Sequence, residues 1–132
     1  MNFFIDNNLP PALAHALDAL SKREGHHVHA KRDKFPPNTP DVEWLGELAR
    51  EGDWVILSED RNILRKPHEL AARMESGLTA FFLEKGWSSL NFWTTSAKLV
   101  QWWPKIMEQA ENVASQVAYR VPVKGAKLTI LR

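Results

Sequence analysis

Short apolar runs alternate with helical patterns along most of this sequence. Three runs have the length of a buried strand and stop at polar or turn residues: Asn2–Asp6, Trp54–Leu57 and Leu78–Leu83. His26–Ala30 is a plausible further short strand, second in chain order. The segments between them carry apolar residues at helical spacing, and the predicted helices are Pro10–Gly25, Pro40–Gly52, Pro67–Glu75 and Ser89–Val113. Parallel strands need crossover connections of this kind. The order therefore predicts an α/β fold in three α/β/α layers, with a mostly parallel sheet.

The C-terminal tail has a different pattern. The β-rich runs Val117–Val123 and Lys127–Leu131 flank a short turn and predict a β-hairpin. Lys31–Pro40 is predicted to be a loop, and Pro104 to kink or divide the last helix. A length of 132 residues suits a single domain. We expect residues 1–113 to form its core and residues 114–132 to form the hairpin extension.

The composition excludes several classes of protein. Cysteine is absent, which removes disulfides, thiol catalysis and thiolate metal sites and is consistent with a cytoplasmic location. No apolar run approaches the roughly 20 residues that a membrane-spanning helix needs. The formal charge of +1 means that nucleic-acid binding would depend on a local basic patch. The six tryptophans are interpreted mainly as packing residues, with base stacking as the alternative.

Three acids are predicted to meet at one edge of the sheet. Asp6 ends the first strand, and Asp60 follows Ser58 and Glu59 after the third strand. Asp41 lies in the first turn of the helix that leads into that third strand, so it should lie at the same edge. Ligands of parallel α/β sheets bind at the carboxyl ends of the strands. This edge is therefore the predicted functional site.

Clustered carboxylates repel one another unless a cation neutralises them. Hard oxygen ligands favour Mg²⁺ or Mn²⁺, which can activate a water for phosphodiester hydrolysis. Asn8, Ser58 or Asn62 could orient a ligand or that water. Each acid also has a purely structural interpretation, because Asp is common in turns and at helix N-termini. A catalytic role is favoured only because all three acids are predicted to lie at the same edge of the sheet.

At these residues the chain resembles the PIN-like superfamily, and in particular the small proteins related to VapC-type toxins. The resemblance covers about residues 2–110 and rests on Phe3–Pro11, Gly25–Val28, Pro40–Leu45, Trp54–Leu64 and Gly77–Leu83. It implies a metal-dependent ribonuclease that a cognate antitoxin inhibits. By position, Asp6, Asp41 and Asp60 match acids of the family's metal site. A further acid, usually a glutamate, has no clear counterpart, and Asp33 or Glu43 could replace it.

Basic residues flank the proposed site and are candidates for binding RNA phosphates: Lys31, Arg32, Lys34, Arg61, Arg65 and Lys66. His26, His27 and His29 suggest zinc only weakly, because no further ligand has convincing spacing. The hairpin and the Trp102–Trp103 pair either cover a helix face or form a dimer or antitoxin surface.

Acids at strand ends also occur in two other kinds of domain. One is a catalytically degenerate PIN-like module that binds RNA or a protein. The other, a receiver-like phosphotransfer domain, lacks a convincing set of residues.

Overall fold

The structure is a computed structural model that describes residues 1–6, 9–59, 77–113 and 117–131. Its strands are β1 (Asn2–Ile5), β2 (His27–Ala30), β3 (Trp54–Ser58), β4 (Thr79–Leu83), β5 (Ala118–Val121) and β6 (Thr129–Ile130). Its α-helices are α1 (Pro11–Ser21), α2 (Lys31–Lys34), α3 (Asp41–Glu51) and α4 (Phe92–Asn112), and 3₁₀ turns span Lys22–Glu24 and Lys85–Ser89. The helix predicted from Pro67 lies outside the described residues.

The six strands form one sheet in the order β2-β1-β3-β4-β5-β6. All neighbours are parallel except β5 and β6, which pair antiparallel as the predicted hairpin. The central strands β3 and β4 are buried along their whole length, whereas β2 alternates between exposed and buried residues. This contrast is typical of central and edge strands in a sheet that is covered on both faces. The predicted α/β fold is confirmed.

Each face of the sheet carries its own core. On one face, Phe3, Leu57 and Phe81 belong to a cluster completed by α1 and α4. On the other face, Phe4, Ile56 and Phe82 pack with the three buried side chains of α3, which are Trp44, Leu45 and Leu48. Successive strand residues point to opposite faces, so one run of apolar residues supplies both cores. The result is the predicted three-layer α/β/α arrangement.

The structure revises one local prediction and decides against one of two alternatives in another. The predicted loop Lys31–Pro40 begins with the single helical turn of α2, which closes when the Phe35 amide donates to the Lys31 carbonyl at 2.9 Å. Pro104 does not divide the last helix, because α4 continues through it. An exposed proline in a helix removes one amide donor, and the extensive apolar face of α4 holds the helix together on either side.

The tail is integrated into the sheet. β5 pairs in parallel with β4, and Tyr119 and Val121 belong to the same core cluster as Phe3 and Leu57. The indole nitrogen of Trp87 donates to the Val121 carbonyl at 3.0 Å. The segment predicted as an extension thus supplies a buried strand. Among the described residues, no helix combines the length and the apolar character needed to cross a membrane.

Candidate functional site at the carboxyl edge of the sheet

The strand order creates a crevice beside β1. The chain passes from β1 to β2 on one side and then to β3 on the other, so β1 and β3 are neighbours at the point where the strand order reverses. In parallel α/β sheets, ligands bind at the carboxyl ends of the strands at such a switch point. Asp6 directly follows β1, and Ser58 ends β3. The first predicted acid therefore lies at the position that the topology favours for binding.

Strand register sets the two neighbours of Asp6. Ile5 is paired with Ala30 of β2 on one side and with Leu57 of β3 on the other. Lys31 follows Ala30, and Ser58 follows Leu57, so these two residues flank Asp6. The Ser58 hydroxyl donates to Oδ2 of Asp6 at 3.0 Å, and the Lys31 ammonium nitrogen lies 3.7 Å from Oδ1.

All three of these residues are buried, with Asp6 6%, Lys31 8% and Ser58 0% exposed. A buried carboxylate is costly unless hydrogen bonds and opposite charge compensate it, and Ser58 and Lys31 supply both. The sequence alone suggested that Lys31 binds RNA phosphate from a loop. The structure instead places its ammonium group inside the site, next to the first acid.

Asp41 lies at the start of α3, as predicted, and its first-turn position is favourable for a carboxylate. Its Oδ1 accepts a hydrogen bond from the Trp44 indole nitrogen at 2.8 Å. The Lys31 ammonium lies 5.5 Å from the centre of a Trp44 ring, within the range of a cation–π contact. Asp41 is therefore linked to Asp6 through Trp44 and Lys31.

The other predicted site residues are spread around this core. Asp33 pairs with His15 at 2.6 Å, with both side chains largely exposed. Glu43 lies in the first turn of α3 and lines a surface groove with Lys34 and Arg50. The remaining candidates fall outside the described residues: Asn8, Asp60, Arg61, Asn62, Arg65 and Lys66.

The basic residues of α2 also differ from one another. Lys34 donates to Glu51 at 2.9 Å and lies 5.2 Å from a Trp54 ring centre, so it ties α2 to the end of α3. Arg32 is exposed. Of the three cations that the sequence placed on this segment, Arg32 alone is exposed, whereas Lys31 is buried and Lys34 is partly buried.

Glu59 was not singled out from the sequence as a site residue. It follows Ser58 at the end of β3, and burial raises the pKa of its carboxyl group. It borders a cleft with Leu9, Trp87 and Phe92. The only signal in the sequence was its place in the polar run after β3, which is also ordinary turn composition.

The donor set at this edge fits a hard divalent cation. The described acids offer oxygen ligands, which favour Mg²⁺ or Mn²⁺ over softer ions. Within residues 1–6, 9–59, 77–113 and 117–131, no three His, Asp or Glu side chains form a metal-holding group. A complete site would therefore need Asp60 or another residue of the undescribed segment beside Asp6.

The histidines have separate environments. His26 is buried, and its Nε2 lies 2.5 Å from Glu111 of α4. His27 and His29 lie on the exposed positions of β2. Residues two apart in a strand face the same side, so His27 and His29 share one side of β2. The described residues around these side chains include no metal-holding group of three.

Comparison with known families adds one finding. The model of a family described as a PIN like domain matches residues 1–85. This span includes β1 to β4 and every predicted site residue. No curated protein and no solved structure gave a significant match to the chain.

Proposed function

This chain belongs to the PIN-like domain family, and we propose that it is a divalent-metal-dependent endoribonuclease. PIN-like domains form a nuclease-type superfamily. The observation that carries the proposal is the buried Asp6 at the switch point of a parallel sheet, held by Ser58 and Lys31. In this proposal Asp6, Asp41 and Asp60 hold Mg²⁺ or Mn²⁺.

Phosphodiester hydrolysis requires a water oxygen to attack phosphorus while the bond to the leaving oxygen breaks. A bound divalent ion would lower the pKa of that water and neutralise negative charge in the transition state. The residues of the chain hold the carboxylate ligands in place. Ser58 fixes one oxygen of Asp6 through its hydrogen bond, and Trp44 fixes one oxygen of Asp41. Preorganised ligands of this kind lose little freedom when the substrate binds.

The wider biological context is part of the proposal. We infer that RNA phosphates are held by the exposed Arg32 together with Arg61, Arg65 and Lys66. We also infer that the protein acts in the cytoplasm as the toxin of a toxin–antitoxin pair. The support is the family and the chemistry of the acids. Co-purification with the product of a neighbouring gene, followed by inhibition of cleavage by that product, would test the antitoxin. The surface formed by α4 and the C-terminal hairpin could instead form the interface of a homodimer.

The activity test uses the purified full chain and labelled single-stranded and hairpin RNAs, with Mn²⁺, with Mg²⁺ or with EDTA. We expect cleavage with metal only. Asp6→Asn and Asp41→Asn should each reduce the rate at least about 100-fold, because each removes an anionic ligand. Asp41→Asn is informative even if Asp6→Asn folds poorly, because Asp41 is only partly buried.

Asp53→Asn is the matched control. Asp53 precedes β3 and therefore lies at the amino edge of the sheet, and its backbone φ of 62° is one that Asn tolerates. This variant should cleave like the wild type. Metal-dependent cleavage that survives in the Asp6→Asn/Asp41→Asn double variant would overturn the assignment.

A second candidate function has one observation in its favour. The Lys31 ammonium already supplies positive charge beside Asp6, which a domain without catalytic metal would need to keep that acid buried. The chain would then be a degenerate PIN-like module that binds RNA or a protein. A metal titration separates the two: an active site gains thermal stability from Mn²⁺, and Asp6→Asn abolishes the gain. A degenerate site shows no gain in either protein.

A further inference from the structure

A small cleft opens between the start of α1 and the start of α4. It has a volume of about 280 Å³, and its lining includes Leu9, Pro10, Glu59, Leu90 and Phe92. Pockets for small ligands span about 300 to 1,000 Å³, so this cleft suits a single flat ring system more than a larger ligand.

The cleft lies at the same edge of the sheet as Asp6. Leu9 and Pro10 connect Asp6 to the first turn of α1, and Glu59 directly follows Ser58. Phe92 begins α4, which follows the parallel strand β4 and leads back to β5. Each bordering segment thus comes from the carboxyl ends of the strands. An RNA strand bound at Asp6 would extend along the same edge, so a nucleotide next to the bound one could enter this cleft.

The chemistry of the lining selects against phosphate. Glu59 is the one charged residue among the eight that line the cleft, and neither lysine nor arginine is among them. The lining also includes the hydroxyl-bearing Ser88 and Thr95 beside apolar side chains. A carboxylate in such a cleft repels a phosphate and accepts hydrogen bonds from N–H groups. A nucleobase presents both an apolar face and N–H donors at its edge. Guanine fits best, because its N1–H and amino group offer two adjacent donors to the two carboxylate oxygens.

An exposed aromatic pair adjoins this lining. Trp93 is 78% exposed and Phe92 is 42% exposed, and their ring centres lie 5.2 Å apart in an edge-to-face arrangement. The other five tryptophans are buried. Nucleobases stack on exposed aromatic rings with little regard to sequence.

We propose that the cleft at Glu59 and Phe92, together with the exposed ring of Trp93, binds unpaired nucleobases of an RNA substrate, with guanine in the cleft. The inference rests on the proposed function, since it places the RNA strand across the Asp6 edge. It assigns base recognition to α4 and to the residue after β3, and it requires a single-stranded substrate because paired bases cannot enter the cleft.

The test measures binding separately from cleavage. Fluorescence anisotropy of labelled uridine decamers, each with one central G, A or C, is recorded with the full chain in EDTA. The wild type should bind the G-containing strand most tightly and a duplex of the same sequence weakly. Trp93→Ala should weaken binding to all strands roughly tenfold. Glu59→Gln should reduce the preference for G while retaining binding to the other strands.

Val100→Ala is the matched control, because it removes another exposed apolar side chain from α4. It should bind like the wild type. Wild-type affinity in Trp93→Ala, an unchanged base preference in Glu59→Gln, or equal binding of duplex would overturn the inference. So would the absence of RNA binding by the wild type, including the case in which this surface binds a protein instead.

The two proposals fail in distinguishable ways. Base-selective binding in EDTA without any cleavage in Mn²⁺ would support the cleft and reject the nuclease. Cleavage in Mn²⁺ with binding that ignores Trp93 and Glu59 would support the nuclease and reject the cleft.

Discussion

The Lys31 ammonium nitrogen lies 3.7 Å from Oδ1 of Asp6, and both side chains are buried. Lys31 thus provides positive charge beside the acid that the family resemblance implies as a metal ligand. Positive charge beside a carboxylate can compete with a cation for that carboxylate, or it can support the carboxylate when the cation is absent. Substitutions in this pair can therefore distinguish a purely stabilising role of Asp6 from a role in metal binding.

Lys31→Met should destabilise the metal-free protein by about 3 kcal/mol, because it leaves a buried carboxylate without this partner. Mn²⁺ should then stabilise the variant more than the wild type, since the ion replaces the lost charge. Chemical denaturation with and without Mn²⁺ measures both effects.

Lys34→Met is the control for that prediction. Lys34 lies on the same helical turn and pairs with Glu51 near the surface. Its loss should cost less than about 1 kcal/mol, and the response to Mn²⁺ should match that of the wild type. Equal costs for the two variants would show that the Lys31–Asp6 pair has no special role.

Ser21→Ala should weaken the packing of α1 against α4. Trp103 donates from its indole nitrogen to the buried Ser21 hydroxyl at 2.7 Å, across these two helices. The alanine leaves a buried N–H without its acceptor, which should lower the free energy of unfolding by about 1–3 kcal/mol. Urea denaturation measures the loss.

Ser96→Ala provides the comparison within α4, because the exposed Ser96 hydroxyl donates only locally, to the Phe92 carbonyl. Its effect should stay within about 0.5 kcal/mol. If Ser21→Ala is equally mild, the hydrogen bond to Trp103 does not contribute to stability.

His29 should make folding sensitive to mild acid. His29 lies on an exposed position of β2, but its ring centre is 5.0 Å from that of Trp54. Partial burial lowers the pKa of the His29 imidazole from its usual value of 6.5, although Asp18 opposes the shift. The folded state therefore favours the neutral ring. Stability from this residue is present above pH 6.5 and is lost as the pH falls from there through the folded-state pKa.

The measurement is the free energy of unfolding between about pH 7.5 and pH 5 for the wild type and for His29→Gln. The wild type should lose more stability than the variant as the pH falls, because only the wild type takes up a proton at this site on unfolding. A larger loss in His29→Gln would contradict the predicted sign.

Much of the fold could be predicted from local pattern. The strands β1, β3 and β4 are apolar runs buried on both faces, and such runs are visible in the sequence because nearly every residue is apolar. Burial of five of the six tryptophans also agreed with the packing interpretation. Local pattern left open whether Pro104 kinks or divides the last helix, and α4 continues through it because tertiary packing of its apolar face outweighs the local cost of proline.

The sequence by itself determined which residues end each strand. Asp6, Lys31 and Ser58 stand where apolar runs stop, and that is a local property of the chain. Only the tertiary structure decided that these three become neighbours, because β1 pairs with β2 on one side and β3 on the other, in a register that aligns their ends. Strand order depends on contacts between distant segments, which periodicity does not encode. The sequence therefore indicated Asp6 as a metal ligand, and the fold placed a lysine beside it.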